Sequence, residues 1–171
     1  MKKKNGFTLV ELLAVIVVLA LIMVIAIPSV LDAMNKARRS AFVEYAQKVI
    51  NNTTTEYTFD ASATIPGVGI YVYDITQDLG NLHSGSYKGY VVVDATDVDK
   101  PRYILTMWDD NYQIVSFDTS RGYPTTDTAE ITGVTQSTKN LTAIDACSAV
   151  SSTDPCYNRQ GYVLKAGNAT E

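Results

Sequence analysis

The sequence predicts an α+β protein in which one long N-terminal α-helix packs, by its second half, on a small antiparallel β-sheet head with a loop-rich C-terminal region. Three observations predict this class. The first is a run of residues without a charge, from Leu12 to Leu31. The second is helical periodicity directly after that run, and the third is strand-like alternation of valine and tyrosine from Ile70 onward.

The uncharged run has the length of a membrane-spanning helix. At about 1.5 Å per residue it spans about 30 Å, which is the thickness of bilayer hydrocarbon. The lysines at positions 2–4 precede it and favour a cytoplasmic N-terminus. A cleaved secretory signal also begins with lysines, but its apolar stretch is usually about 7 to 15 residues long. Because Glu11 interrupts the start and no small-x-small cleavage site precedes Asp32, we interpret the run as a transmembrane helix.

The residues from Lys2 to Leu12 resemble the class III signal of type IV prepilins and of their pseudopilin relatives. The pattern in that family is a short basic leader that ends in glycine, followed by Phe, Thr, Leu, an apolar residue, Glu and Leu. This chain has KKKNG and then FTLVEL. The similarity includes Pro28, since pilin helices carry a proline there. The leader and the absence of N-terminal cysteines resemble Gram-positive, clostridial-type major pilins.

The resemblance implies cleavage after Gly6 by a prepilin peptidase on the cytoplasmic face and N-methylation of the new N-terminal residue, Phe7. It further implies assembly into a helical homopolymer, driven by a pilus assembly ATPase and its membrane platform. No cofactor is implied. Ala20 stands where many pilins have a helix-loosening glycine, so the resemblance does not extend to melting of the helix inside a filament.

Glu11 is a candidate functional residue on physical grounds as well. An ionisable side chain near the end of a membrane helix is costly and marks a functional site by default. Cleavage after Gly6 creates an ammonium group on Phe7, four residues away, that can pair with the carboxylate. The alternative is a carboxylate that is solvated at the level of the lipid head groups. We assign Glu11 to assembly, because a plain signal anchor would give no reason for this residue.

After Pro28, which is expected to bend the helix, the pattern is amphipathic. Apolar and small residues recur at spacings of three and four, namely Ala33, Ala37, Ala41, Phe42, Tyr45, Ala46, Val49, Ile50 and Thr53. The helix is predicted to run from Phe7 to about Tyr57. The chain is accordingly divided into a leader (1–6), a transmembrane and filament-core helix (7–31), an amphipathic helix that packs on the head (32–58) and a β-sheet head (59–171).

The head is predicted to hold three or four antiparallel strands. Segments rich in valine and tyrosine occur at 70–74, 87–94, 103–108 and 112–117. Asp109 to Asn111 is predicted as the turn between the last two. Residues 119–140 are predicted as surface loop, 141–150 as a short helix and 161–165 as a last strand.

Two cysteines, Cys147 and Cys156, lie near the C-terminus. In an exported protein this spacing predicts one disulfide, and a pair of free thiols is the alternative. Closing a loop of this size stabilises a fold by about 2 to 3 kcal/mol in the chain-entropy model.

Motifs for catalysis are scarce. His83 is the one histidine, and no nucleophile elbow, phosphate loop or metal-ligand spacing accompanies it. Asp94, Asp97 and Asp99 could bind calcium, but their spacing does not fit an EF-hand loop and favours a solvated acidic turn. We predict no enzyme, no catalytic residue and no metal. The formal net charge of −4 also makes nucleic acid a poor partner.

These features together predict a structural subunit. It is expected in the bacterial inner or cytoplasmic membrane as a precursor and in an extracellular type IV pilus after assembly, where it supports adhesion, twitching motility or biofilm formation. The closest alternative is a pseudopilin of a type II secretion or DNA-uptake system, which shares the signal. A third possibility is a membrane-anchored extracellular binding module or hydrolase with the same signal.

Overall fold

The computed structural model describes residues 7–63, 67–79, 86–97, 99–150 and 154–166. The chain divides into two compact units, Met1–Arg38, here called the N-terminal unit, and Arg39–Glu171, here called the head. The leader up to Gly6 and the predicted loop residue His83 lie outside the described residues.

Helix α1, Leu9–Ala63, is 55 residues long. It contains no glycine and one proline, Pro28, which agrees with its length because glycine and proline are the poorest helix formers. Helical structure continues through Pro28, and the bend there stays a prediction. The helix ends later than predicted, at Ala63. Hydroxyl groups in its threonine-rich last part donate to carbonyl groups one turn earlier, as Thr54 does to Ile50 at 2.9 Å.

In the head, α1 buries one face. The buried residues are Phe42, Val43, Ala46, Val49, Ile50, Thr53, Tyr57 and Asp60. The predicted stripe is therefore confirmed from Phe42 onward, whereas Ala33, Ala37 and Ala41 are exposed. Glu44 and Lys48 lie on the exposed face and form an ion pair at 3.1 Å.

Four strands form the predicted antiparallel meander: β1 Ile70–Asp74, β2 Lys88–Asp94, β3 Arg102–Trp108 and β4 Tyr112–Asp118. The Asp109 carboxylate closes the turn between β3 and β4, since it accepts hydrogen bonds from the backbone N–H groups of Asn111 and Tyr112, both at 2.6 Å. Alternate side chains of this meander share one core with α1, among them Tyr71, Tyr73, Val91, Val93, Leu105, Met107 and Ile114.

The sheet is larger than the predicted meander. Three short strands, β5 Thr132–Gly133, β6 Cys156–Asn158 and β7 Val163–Lys165, extend it to the order β5-β4-β3-β2-β1-β6-β7. Strand β6 pairs with β1 in parallel, and all other neighbours are antiparallel. Of the three, only β7 was predicted, because strands of two or three residues are too short to show a period of two.

Residues 119–140 are not entirely loop, which corrects the prediction. They contain a 3-10 turn at Thr119–Arg121, strand β5 and helix α2, Gln136–Lys139. The Thr135 hydroxyl caps α2 by accepting from the Thr138 backbone N–H at 3.3 Å. Local capping of this kind needs no hydrophobic period, so the sequence pattern did not reveal it.

Helix α3, Ala143–Val150, confirms the predicted short helix and covers the second face of the sheet. Its buried residues Ala146 and Cys147 belong to a second core together with Ile70, Val72, Val92, Ile104 and Cys156. Cys147 and Cys156 form a disulfide, as predicted. The bond joins α3 to β6, so the covalent link supports a strand of only three residues beside β1.

Candidate functional site

The N-terminus of α1 is closed by a reciprocal pair of side chains, Thr8 and Glu11. Glu11 Oε2 accepts from the Thr8 backbone N–H at 2.9 Å and from the Thr8 hydroxyl at 2.8 Å. The Thr8 Oγ1 accepts from the Glu11 backbone N–H at 3.3 Å. This arrangement is a capping box, which satisfies backbone donors that the first helical turn leaves free. It explains why the helix begins directly after Thr8.

The capping box adds a partner for Glu11 that the sequence argument missed. That argument looked for a cation, although the T-x-x-E spacing before an apolar run is itself the signature of a capping box. The carboxylate is thereby hydrogen-bonded at the positive end of the helix dipole before any contact with another subunit. Its pairing with the ammonium group of a cleaved Phe7 stays a prediction, because Gly6 lies outside the described residues.

The side chains of the apolar segment, defined as residues 7–31, are exposed. Its large hydrophobic residues are between 50% (Leu19) and 91% (Phe7) exposed. In the described part of the chain, α1 is the one helix long and apolar enough to cross a membrane, on grounds of length and composition. A soluble monomer rarely exposes an apolar surface of this size, so lipid or other protein must cover it.

A second cluster lies in the head around Arg159, in the turn between β6 and β7. The guanidinium donates to Glu56 Oε2 at 2.5 Å, to Asp60 Oδ2 at 3.0 Å and to the backbone carbonyl of Asp78. Asp60 is 7% exposed and also accepts from the Tyr73 hydroxyl at 3.1 Å. Sequence reasoning missed this cluster, because Arg159 is about 100 positions from its acidic partners along the chain.

The Arg159 cluster and the disulfide fasten the same C-terminal region at two points. Arg159 binds the last turns of α1, and Cys156 is bonded to α3 on the second face of the sheet. Strand β6 begins at Cys156 and is directly followed by Arg159, so it is held from both faces of the sheet.

The raised pKa values of the buried tyrosines predict how the stability of the head changes at alkaline pH. Burial raises the pKa of Tyr71 to about 12, with the neighbouring Tyr57 and Tyr157 adding to the shift. Burial and the Asp60 carboxylate also raise the pKa of Tyr73. Since the folded state favours the protonated phenol, this stabilisation is complete below the ordinary pKa of 10.0 and is lost as pH rises toward 12.

We therefore expect the free energy of unfolding to fall between about pH 10 and 12. The free energy of unfolding of the Tyr71→Phe variant is expected to fall less steeply with pH, because this variant has no phenol to ionise at that position. Chemical denaturation at a series of pH values, followed by circular dichroism, measures the two slopes. Equal slopes for Tyr71→Phe and the unchanged chain would contradict the assignment.

Of the three acidic residues considered for calcium, Asp94 and Asp97 accept hydrogen bonds within the head. Although burial raises the pKa of Asp94, hydrogen bonds from Arg102 and Thr96 outweigh it and lower that pKa. Asp97 Oδ1 accepts from the Asp99 backbone N–H at 3.1 Å, as expected for a turn. Within the described residues, no group of three or more His, Cys, Asp or Glu side chains could hold a metal ion.

Comparison with known protein families identifies a motif in the N-terminal segment. Residues 1–27 match the family model described as the prokaryotic N-terminal methylation motif, and the matched range includes Gly6, Phe7 and Glu11. Comparisons with curated proteins and with solved structures found no match. The motif indicates a structural protein whose precursor is processed by a prepilin peptidase and held in the membrane. Residues 1–27 therefore carry a type IV prepilin signal of the kind that pilins and pseudopilins share.

Proposed function

We propose that this chain is a pilin that polymerises into a type IV pilus after cleavage between Gly6 and Phe7. The observation that carries the proposal is an exposed apolar helix that directly follows a prepilin signal. In the precursor, lipid covers the apolar segment. In the filament, the apolar segments of neighbouring subunits cover each other and form the core, because a head-to-tail contact that does not close into a ring builds a helical fibre.

Transfer of the apolar segment from lipid to the filament core gains little hydrophobic free energy, since lipid tails are already apolar. Extraction must therefore be driven from outside. We infer that an assembly ATPase and its membrane platform supply this work and that the chain itself is a passive building block. Glu11 supplies the recognition between subunits, and the mature N-terminus on Phe7 is its partner.

The head supports a surface-exposed pilin more than a pseudopilin. A disulfide and the Arg159 cluster fasten its C-terminal region, and such reinforcement suits a subunit under shear outside the cell. A pseudopilin of a secretion or DNA-uptake system shares the N-terminal signal and is the second candidate. Electron microscopy of cells with and without the chain separates them, since long filaments indicate a pilin and short stubs a pseudopilin. The absence of both long filaments and short stubs would point to a membrane-anchored binding module.

The mature chain is expected to begin at Phe7 with a methylated amino group. Cleavage after Gly6 removes the three leader lysines and leaves the apolar segment in place, so the processed chain stays in the membrane fraction. Mass spectrometry of the intact protein and of its N-terminal peptide measures both modifications. An N-terminus at Met1, or one beyond Pro28, would contradict this prediction.

A further inference from the structure

Three basic residues follow the apolar segment: Lys36, Arg38 and Arg39, here called the basic collar. All three are exposed, and none forms an ion pair with a residue that the structure describes. Arg39 donates to the backbone carbonyl of Ile131 at 3.4 Å. Asp32 is the one acidic residue between the apolar segment and Glu44, so cations are in excess here.

Helix geometry places the collar near the lipid head groups when the apolar segment spans a bilayer. The rise from Leu31 is about 7.5 Å to Lys36 and about 12 Å to Arg39. The head-group layer on each side of the hydrocarbon is about 5 to 7 Å thick. Side chains on a helix lean toward its N-terminus, which here is the membrane side, and the long stems of lysine and arginine extend that reach.

The directions of the collar side chains favour lipid over a single protein partner. At about 100° per residue, Lys36, Arg38 and Arg39 project over about 160° of the helix circumference. A flat protein surface would contact only part of this arc, whereas lipids surround the helix with phosphate groups on every side. The collar also lies on the side of the membrane opposite the leader lysines, where cations oppose the charge asymmetry that orients the helix. The cations of the collar therefore need an explanation other than the orientation of the helix in the membrane.

We propose that the basic collar binds the phosphate groups of anionic phospholipids in the leaflet opposite the leader. The bound head groups hold the apolar segment at a defined depth in the hydrocarbon. This proposal rests on the membrane-spanning interpretation of α1 and is independent of polymerisation.

Lipid binding by the full-length chain in detergent micelles tests the proposal. The chain is titrated with phosphatidylglycerol or with phosphatidylcholine, and the bound lipids are counted by native mass spectrometry. We expect tighter binding of phosphatidylglycerol. The Lys36→Gln/Arg38→Gln variant is expected to lose this preference by about fivefold for each cation removed. Arg39 is retained because of its contact with Ile131, and Asp32→Asn is expected to increase the preference.

The matched control is Lys48→Gln/Lys88→Gln, which removes two exposed lysines of the head and is expected to leave the lipid preference unchanged. Equal binding of the two lipids by the unchanged chain would overturn the proposal. An unchanged preference in Lys36→Gln/Arg38→Gln would do the same. Chemical cross-linking in the same micelles is then the second measurement, and a loss of dimers in that variant would assign the collar to a contact between copies. Filament formation is measured separately, so failure of this proposal is distinguishable from failure of the proposed function.

Discussion

Glu11→Ala is expected to abolish filaments while membrane insertion, cleavage after Gly6 and the fold of the head stay intact. A carboxylate that enters an apolar filament core is tolerable only when a cation meets it, and the ammonium group of Phe7 on a neighbouring subunit is the candidate. The pair also sets the axial register, because any other offset leaves two buried charges unmatched. Electron microscopy measures filament number and length, and circular dichroism of the full-length chain measures the fold.

The capping box provides the matched control for this experiment. Thr8→Ala removes the threonine hydroxyl, and with it two of the three hydrogen bonds to Glu11, but keeps the carboxylate. Filaments are expected to persist in Thr8→Ala. Glu11→Asp is expected to be intermediate, since it keeps the charge and shortens the reach by one methylene. Normal filaments in Glu11→Ala would sink the hypothesis, and an equal loss in Thr8→Ala would show that the cap, rather than the charge, is required.

Arg159→Met is expected to be the most destabilising substitution on the surface of the head, at about 3 kcal/mol. The change keeps most of the side-chain volume, but it leaves the buried Asp60 without its ion pair and with the hydrogen bond from the Tyr73 hydroxyl. It also frees Glu56 from its ion pair. Removing one partner of such a pair costs more than the pair contributes, because an uncompensated charge stays behind. Thermal denaturation of the full-length chain in detergent micelles should show a midpoint lower by roughly 10 °C.

Two further variants test whether charge is the cause. Asp60→Asn in the Arg159→Met background is expected to recover part of the stability, since it removes the charge left without a partner. Lys48→Met breaks the exposed pair with Glu44 and is expected to cost no more than about 0.5 kcal/mol. A double variant that is as unstable as Arg159→Met alone would mean that the hydrogen bonds of the guanidinium to Glu56 and to the Asp78 carbonyl, and not the unpaired charge on Asp60, account for the loss.

The long elements of this protein were predictable from the sequence, because each repeats one pattern over many residues. The run from Leu12 to Leu31 and the stripe from Phe42 gave helix α1, and the alternation in β1 to β4 gave the meander. The turn at Asp109 was readable for a local reason, since aspartate accepts hydrogen bonds from the backbone two or three residues later. The disulfide between Cys147 and Cys156 followed from having one possible pair in an exported chain.

The short elements and the charged cluster were decided by contacts between distant residues. Strand β6 pairs in parallel with β1, and the disulfide to α3 and the ion pair of Arg159 with Asp60 flank this pairing. Three residues carry no pattern that predicts such a neighbour. The guanidinium of Arg159 and the carboxylate of Asp60 come together only in the folded chain, because the two residues are far apart in the sequence. The sequence by itself therefore determined the membrane-length helix, the processing signal and the meander, each of which depends on neighbours along the chain. Only the tertiary structure decided the seven-stranded order and the Arg159 cluster, because these depend on which distant groups are excluded from water together.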